Sequence, residues 1–259
     1  MDSLLALPGA LAIGLSLGLL GSGGSILTVP VLVYLLGQDE KVAIAGSLFI
    51  VGSIALAGGL QFLRAGFIHW RSVLVFGLPG MLGTVLGATL AAYVSGAMQL
   101  ALFALVMLTA SWFMLRPVDL AHGAGHERAA WKIAADGLVV GIVTGLVGVG
   151  GGFLIVPALV LLGGLSMHRA VATSLVIIAL KSFSGFYKYL DVLEQQSLHL
   201  DWTTLLVVTA LGILGSIAGS RLARRLPQEK LKRWFGYFLI AMGLYILIRS
   251  APAALGMTL

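Results

Sequence analysis

Apolar residues run along the chain in long stretches, at 4–37, 43–63, 72–94, 97–115, 133–164, 170–190, 203–222 and 234–249. A helix needs about 20 apolar residues to cross a bilayer core ~30 Å thick. Most of these stretches therefore predict one transmembrane helix each. The stretches 4–37 and 133–164 are too long for one ordinary span at a rise of about 1.5 Å per residue. Each carries a glycine cluster near its middle, GSGGS at 21–25 and GVGGG at 148–152, followed by Pro30 or Pro157. That pattern predicts a broken segment: helix, glycine turn, short helix.

The two long stretches are copies of one another. Residues 14–37 and 141–164 align without a gap at an offset of 127, with 13 of 24 positions identical. The same offset carries Ala43, Ala45, Ser47, Leu48 and Ile50 onto Ala170, Ala172, Ser174, Leu175 and Ile177. After a five-residue insertion the offset becomes 132, matching Trp70, Gly80, Gly83 and Gly87 to Trp202, Gly212, Gly215 and Gly219. Composition bias scatters chance glycine and leucine matches but does not readily hold one register this far. The predicted organisation is a first membrane repeat over 1–115, a cytoplasmic linker over 116–132 and a second membrane repeat over 133–259.

Composition agrees with lipid as the solvent. Hydrophobic residues make up 59% of the 259 and charged residues 10%, against about 25% charged in soluble domains. Mean hydropathy is +1.05. Such a chain cannot cover a water-facing surface, which argues against a soluble enzyme. There is no cysteine, so no disulfide framework forms. The 35 glycines suit close helix approach, with Gly83/Gly87 and Gly215/Gly219 at small-x-x-x-small spacing. The N-terminal MDSLLALPGA lacks a basic signal-peptide start, so the first segment is expected to stay in the mature protein.

Charge decides how the long stretches run. Read as single spans, they leave seven Lys and Arg on one side and eight on the other. Read as hairpins with both ends on one side, they gather twelve on one side against three (Lys41, Lys188 and Arg249) on the other. Only the hairpins satisfy the positive-inside rule. The fold class expected is an all-α polytopic membrane protein of two inverted repeats. Each repeat has a broken hairpin segment plus three transmembrane helices, with up to ten helical segments in all. Both termini are expected outside the cytoplasm.

Two features could carry chemistry. The glycine breaks leave backbone N–H groups that protein, water or a ligand must satisfy in lipid, and N–H groups at a short helix's start suit an anion. The alternative is close packing at a turn. If the two breaks face each other at the midplane, Gly23, Gly24, Gly150, Gly151 and Gly152 would supply one central site. Ser25, Thr28, Ser47, Thr173 and Ser174 would add hydroxyls, although hydroxyls in membrane helices often bond their own backbone. The second feature is Lys181, deep in 170–190, where the first repeat has Ile54. An ionisable group at that depth marks function unless it snorkels or pairs with a carbonyl. The stretches are read as offering it no acidic partner, which favours an anionic ligand. His122, His126 and Glu127 sit in a glycine-broken loop, so no metal site is expected there. A dinucleotide site is excluded because no βαβ unit surrounds either glycine cluster.

LGLLGSGGSILTVP with AGSLF and HW, then GLVGVGGGFLIVP with ATSL and LDW, resemble the sulfite exporter TauE/SafE family over residues 4–249. The resemblance implies a permease for small anions such as sulfite, sulfonates and related organosulfur compounds, often an exporter. Gly46 stands in AGSL where ATSL has Thr173. The expected partners are a small anionic substrate and the bilayer, with a homodimer compatible with the chain and no nucleic acid. No cofactor is expected. The expected location is the bacterial inner membrane. A membrane-embedded enzyme and an accessory subunit of a membrane complex are the rival readings.

Overall fold

A computed structural model describes residues 2–21, 23–63, 66–115, 129–148, 152–223 and 225–254. Ten helical segments follow in order: α1 (Asp2–Leu20); α2 (Gly23–Pro30, continued by a π turn Val31–Leu35); α3 (Glu40–Leu63); α4 (Trp70–Ala91); α5 (Gly96–Leu115); α6 (Ala130–Val147); α7 (Gly152–Pro157, continued by a π turn Ala158–Leu162); α8 (Met167–Gln195); α9 (Trp202–Ala223); and α10 (Gln228–Ala254). There is no strand among the described residues. In lipid a helix satisfies its own backbone, whereas an open sheet edge cannot. Among the described residues, six helices (α3, α4, α5, α6, α8 and α9) are long and apolar enough to cross a bilayer. The protein is an all-α polytopic membrane protein.

Both long stretches break at their glycines. Gly21 and Gly148 each end a helix with φ of +72°, a left-handed conformation that costs glycine little and other residues more. Their N–H groups donate to Leu17 and Thr144 carbonyls at 2.8 Å. The chain then doubles back. Gly24 of α2 lies against Leu17 and Ile13 of α1, and Gly9 of α1 lies against Val31 and Leu35.

Contacts between loops fix which segments share an end of the bundle. Leu36, Gln38, Asp39 and Val42 line one cleft of about 480 Å³ together with His199, Asp201, Thr203 and Thr204. Lys41 Nζ donates to the carbonyls of Ala91 at 2.5 Å and Val94 at 2.6 Å, while Tyr34 packs edge-on against Tyr245. At the opposite end the His69 N–H donates to Thr173 Oγ1 at 3.0 Å, and Gly236 meets Leu115. The end of the first long stretch thus lies with the start of α9. A hairpin allows that, and a single span would put them on opposite faces.

Helix packing is reciprocal between the copies. α1 packs along α9, and α6 along α4. In the first pair a Cβ on Gly14 or Gly18 would enter the carbonyl of Gly212 or Ser216, and one on Gly215 or Gly219 would crowd the carbonyl of Leu11 or Leu15. In the second pair Gly141 and Gly145 meet the carbonyls of Gly80 and Thr84, and Gly83 and Gly87 meet those of Leu138 and Ile142. The offsets of 127 and 132 convert one set into the other. The small-residue spacing seen in the sequence is therefore backbone-to-backbone packing, the main source of helix attraction in lipid. α3 packs on α8, and α5 on α10.

Candidate functional site

The hydroxyls expected at a ligand are mostly committed to backbone. Ser47 Oγ lies 2.8 Å from the Ile44 carbonyl and 3.0 Å from that of Gly148. Ser174 Oγ lies 2.8 Å from the Val171 carbonyl and 3.2 Å from that of Gly21. Each serine therefore reaches across to the glycine break of the other copy. Thr28 Oγ1 donates to the Gly24 carbonyl at 2.6 Å. Thr173 accepts from His69. Ser25 is buried. Gly23 and Gly24 open α2, and Gly152 opens α7. Gly150 and Gly151 lie outside the described residues, as do His122, His126 and Glu127.

The two breaks do not meet at the midplane. Gly21 packs on Val171, near the start of α8, and Gly148 packs on Tyr189, near its end. Residues 171 and 189 of one continuous helix stand roughly 27 Å apart at 1.5 Å per residue. The reason is the length of the hairpin arms. The 19 residues of α1 and 18 of α6 each reach about 27–28 Å, so each tip arrives near the far face. Gly21 and Gly148 thus stand at different levels of α8, while the short helices α2 and α7 that follow the breaks touch one another.

Lys181 occupies the level between those tips. It sits midway along α8 and is fully buried, and its Nζ has no hydrogen-bond partner. Its methylenes pack on Gly80 of α4, at the seam where the Gly137 carbonyl of α6 also approaches. Ile54 takes the matching place against Gly212 in the other copy. Burying an ammonium without a partner costs several kcal/mol, a cost the Ile54 side avoids. The sequence reading of acidic residues needs one correction. Asp136 lies within α6, next to Gly137, half-buried.

A second polar cluster escaped the sequence reading. Tyr189, fully buried on α8, stands eight residues after Lys181 on the same helical face. Its hydroxyl lies 3.3 Å from the carbonyls of Gly145 and Leu146, the end of α6. Gln99 of α5 is also fully buried. Its Nε2 donates to Tyr189 Oη at 2.8 Å and to the Leu146 carbonyl. The register would have exposed the asymmetry, since Tyr189 and Gln99 correspond to Phe62 and Leu231.

The HW and LDW motifs are matching helix caps. The His69 ring Nδ1 lies 2.8 Å from Ser72 Oγ and accepts from the Ser72 N–H at 3.3 Å, capping α4. Asp201 accepts from the N–H groups of Thr203 and Thr204 at 3.0 and 3.3 Å, and from Thr204 Oγ1 at 2.5 Å, capping α9. Burial, then Arg169 and Arg71, push the His69 ring below its usual pKa. The Thr204 hydroxyl, and then its N–H, hold the Asp201 carboxyl below its usual range.

Ten helical segments among the described residues, hairpins broken at glycine and a fully buried lysine midway along α8 suit a multi-pass membrane transporter. The chain belongs to the sulfite exporter TauE/SafE family, whose sequence model matches residues 6–246. A probable membrane transporter protein of Xylella fastidiosa strain 9a5c is 35% identical over 92% of each chain. Another, YunE of Bacillus subtilis, is 29% identical over 87% of this chain and 90% of its own. A third, from Methanocaldococcus jannaschii, is 24% identical over 95% of this chain and 97% of its own. No solved structure matches.

Proposed function

We propose that this protein is a secondary transporter, working as an exporter, of small anions such as sulfite, sulfonates or related organosulfur compounds across the bacterial inner membrane. The two copies, 1–115 and 133–259, lie inverted in the membrane around the 116–132 cytoplasmic linker, with both termini outside. The reciprocal glycine packing and the cross-copy serines support the inversion. The basic loop excess supports the orientation.

One observation carries the substrate charge. Lys181 is fully buried midway along α8, and its Nζ has no hydrogen-bond partner. An anion arriving there would recover much of the ammonium's lost solvation. The hydroxyls of Ser47, Ser174 and Thr28 are engaged with carbonyls, which disfavours a nucleophile at the breaks and a membrane-embedded enzyme.

Sulfite flux from proteoliposomes tests the reading. Lys181→Met is expected to lower flux at least tenfold while raising the melting temperature, because a buried unpaired charge is removed. Lys181→Arg should keep part of the flux. Undiminished flux in Lys181→Met overturns the role of Lys181, and absence of flux for every sulfur oxyanion overturns the substrate class.

A further inference from the structure

The second break carries more polar groups than its turn requires. The first break makes the same turn at Gly21, with the same φ and the same serine cap from the other copy, and the sequence register matches Phe62 and Leu231 to Tyr189 and Gln99. Tyr189 and Gln99 are therefore surplus to the fold.

Their hydrogen-bonding capacity is one-sided. The Leu146 carbonyl can only accept, so the Gln99 group facing it is the amide nitrogen. Both Nε2 protons are then occupied, by Leu146 and by Tyr189 Oη. The single Tyr189 proton is directed at the carbonyls of Gly145 and Leu146. What remains is acceptor capacity alone. Gln99 Oε1 is buried without a partner, and Tyr189 Oη, which accepts from Gln99 alone among the described residues, keeps a lone pair. The carbonyls of Gly145 and Leu146 form the C-terminal, electronegative end of α6.

We infer that Gln99 Oε1 and Tyr189 Oη, beside the C-terminal end of α6, form a binding site for a small monovalent cation of the sodium class, which is the coupling ion. Neutral oxygens at a helix C-terminus suit such an ion, whereas a divalent ion would call for carboxylates. The coupling role rests on the proposed anion site at Lys181. Eight residues separate Lys181 from Tyr189, roughly 12 Å along α8. At an effective dielectric of about 20, two unit charges at that distance repel by roughly a factor of ten in affinity. An anion that neutralises Lys181 lifts that penalty, so each ion raises the other's affinity by the same factor.

Binding of radioactive sodium to the purified full chain in detergent, without any anion, tests the site apart from transport. Saturable binding is expected. Gln99→Leu should weaken it at least tenfold and Tyr189→Phe several-fold. Gln99→Glu, which places a charge on the free acceptor, should tighten it, an outcome that misfolding cannot imitate. Lys181→Met should tighten it by up to about tenfold. No saturable sodium binding to wild type, or unchanged binding in Gln99→Leu and Gln99→Glu, overturns the inference. Sodium binding that persists while Lys181→Met retains full sulfite flux would sink the anion site and the coupling role built on it, and leave the cation site standing.

Discussion

At Gly21 the chain turns beneath Val171 and takes a hydroxyl from Ser174; at Gly148 it turns beneath Ile44 and takes one from Ser47. The backbone torsion is the same, and the capping hydroxyl comes from the opposite copy in both. The surroundings then diverge. The second turn has Tyr189 and Gln99 beside it, and Lys181 lies one further step along the same face of α8. The comparison separates two demands. Turning a chain inside a membrane needs glycine, one hydroxyl and close helices, and both copies provide these. The proposed charge sites use groups found only around the second turn, Lys181 and Tyr189 from the second copy and Gln99 from the first.

The shared part should fail symmetrically. Gly14→Leu and Gly141→Leu drive a side chain into the Gly212 and Gly80 carbonyls, respectively. Each is expected to cost more than about 3 kcal/mol and to abolish the yield of monodisperse protein. A tolerated change at one position alone would break the equivalence of the copies. Ser47→Ala and Ser174→Ala are milder, at about 1 kcal/mol each, and should match within roughly 0.5 kcal/mol in denaturant titrations. A much larger loss at Ser47 would show that its turn carries additional strain.

The smallest effect concerns the caps. The neutral His69 ring accepts from the Ser72 N–H, and its pKa is lowered in the folded protein. A base with a lowered folded pKa binds more protons unfolded, so its contribution is present above the unfolded value near 6.5 and is lost as pH falls below it. Thermal stability should drop by up to about 1 kcal/mol between pH 7.5 and 5.5. His69→Asn, which keeps a capping oxygen without titrating, should flatten that profile. The Asp201 cap follows the other sign. Its lowered carboxyl pKa keeps the contribution present above about 4 and loses it only at lower pH, so Asp201→Asn should leave the pH 7.5 to 5.5 slope in place.

Much of this was legible in the sequence. The register of 127 and 132, the glycine breaks and the paired small residues all lie in short-range pattern, and lipid makes such pattern decisive. The hairpins were legible because loop charge counts sidedness. Depth was not. A glycine cluster at the middle of a 34-residue stretch looks central, yet the middle of a hairpin is its tip, and α1 carries Gly21 across to the start of α8. Lys181 was conspicuous as a charge among apolar residues. Tyr189 and Gln99 were not, because neither carries a charge and their pairing joins residues 90 apart in the chain. Lys41 also gave no sign of its burial, which depends on carbonyls at the far end of α4.

The reciprocal seams that look alike in space are unlike in time. α6 meets α4, already made, when Gly141 reaches Gly80 some 60 residues behind it. The first arm has no such neighbour, since Gly14 rests on Gly212, nearly 200 residues later in the chain. At about 5–20 residues per second, a growing chain holds α1 without its partner for roughly 10 to 40 seconds. The first arm must therefore wait in the bilayer for its seam partner with only α2 and α3 beside it, whereas α6 finds α4 already made.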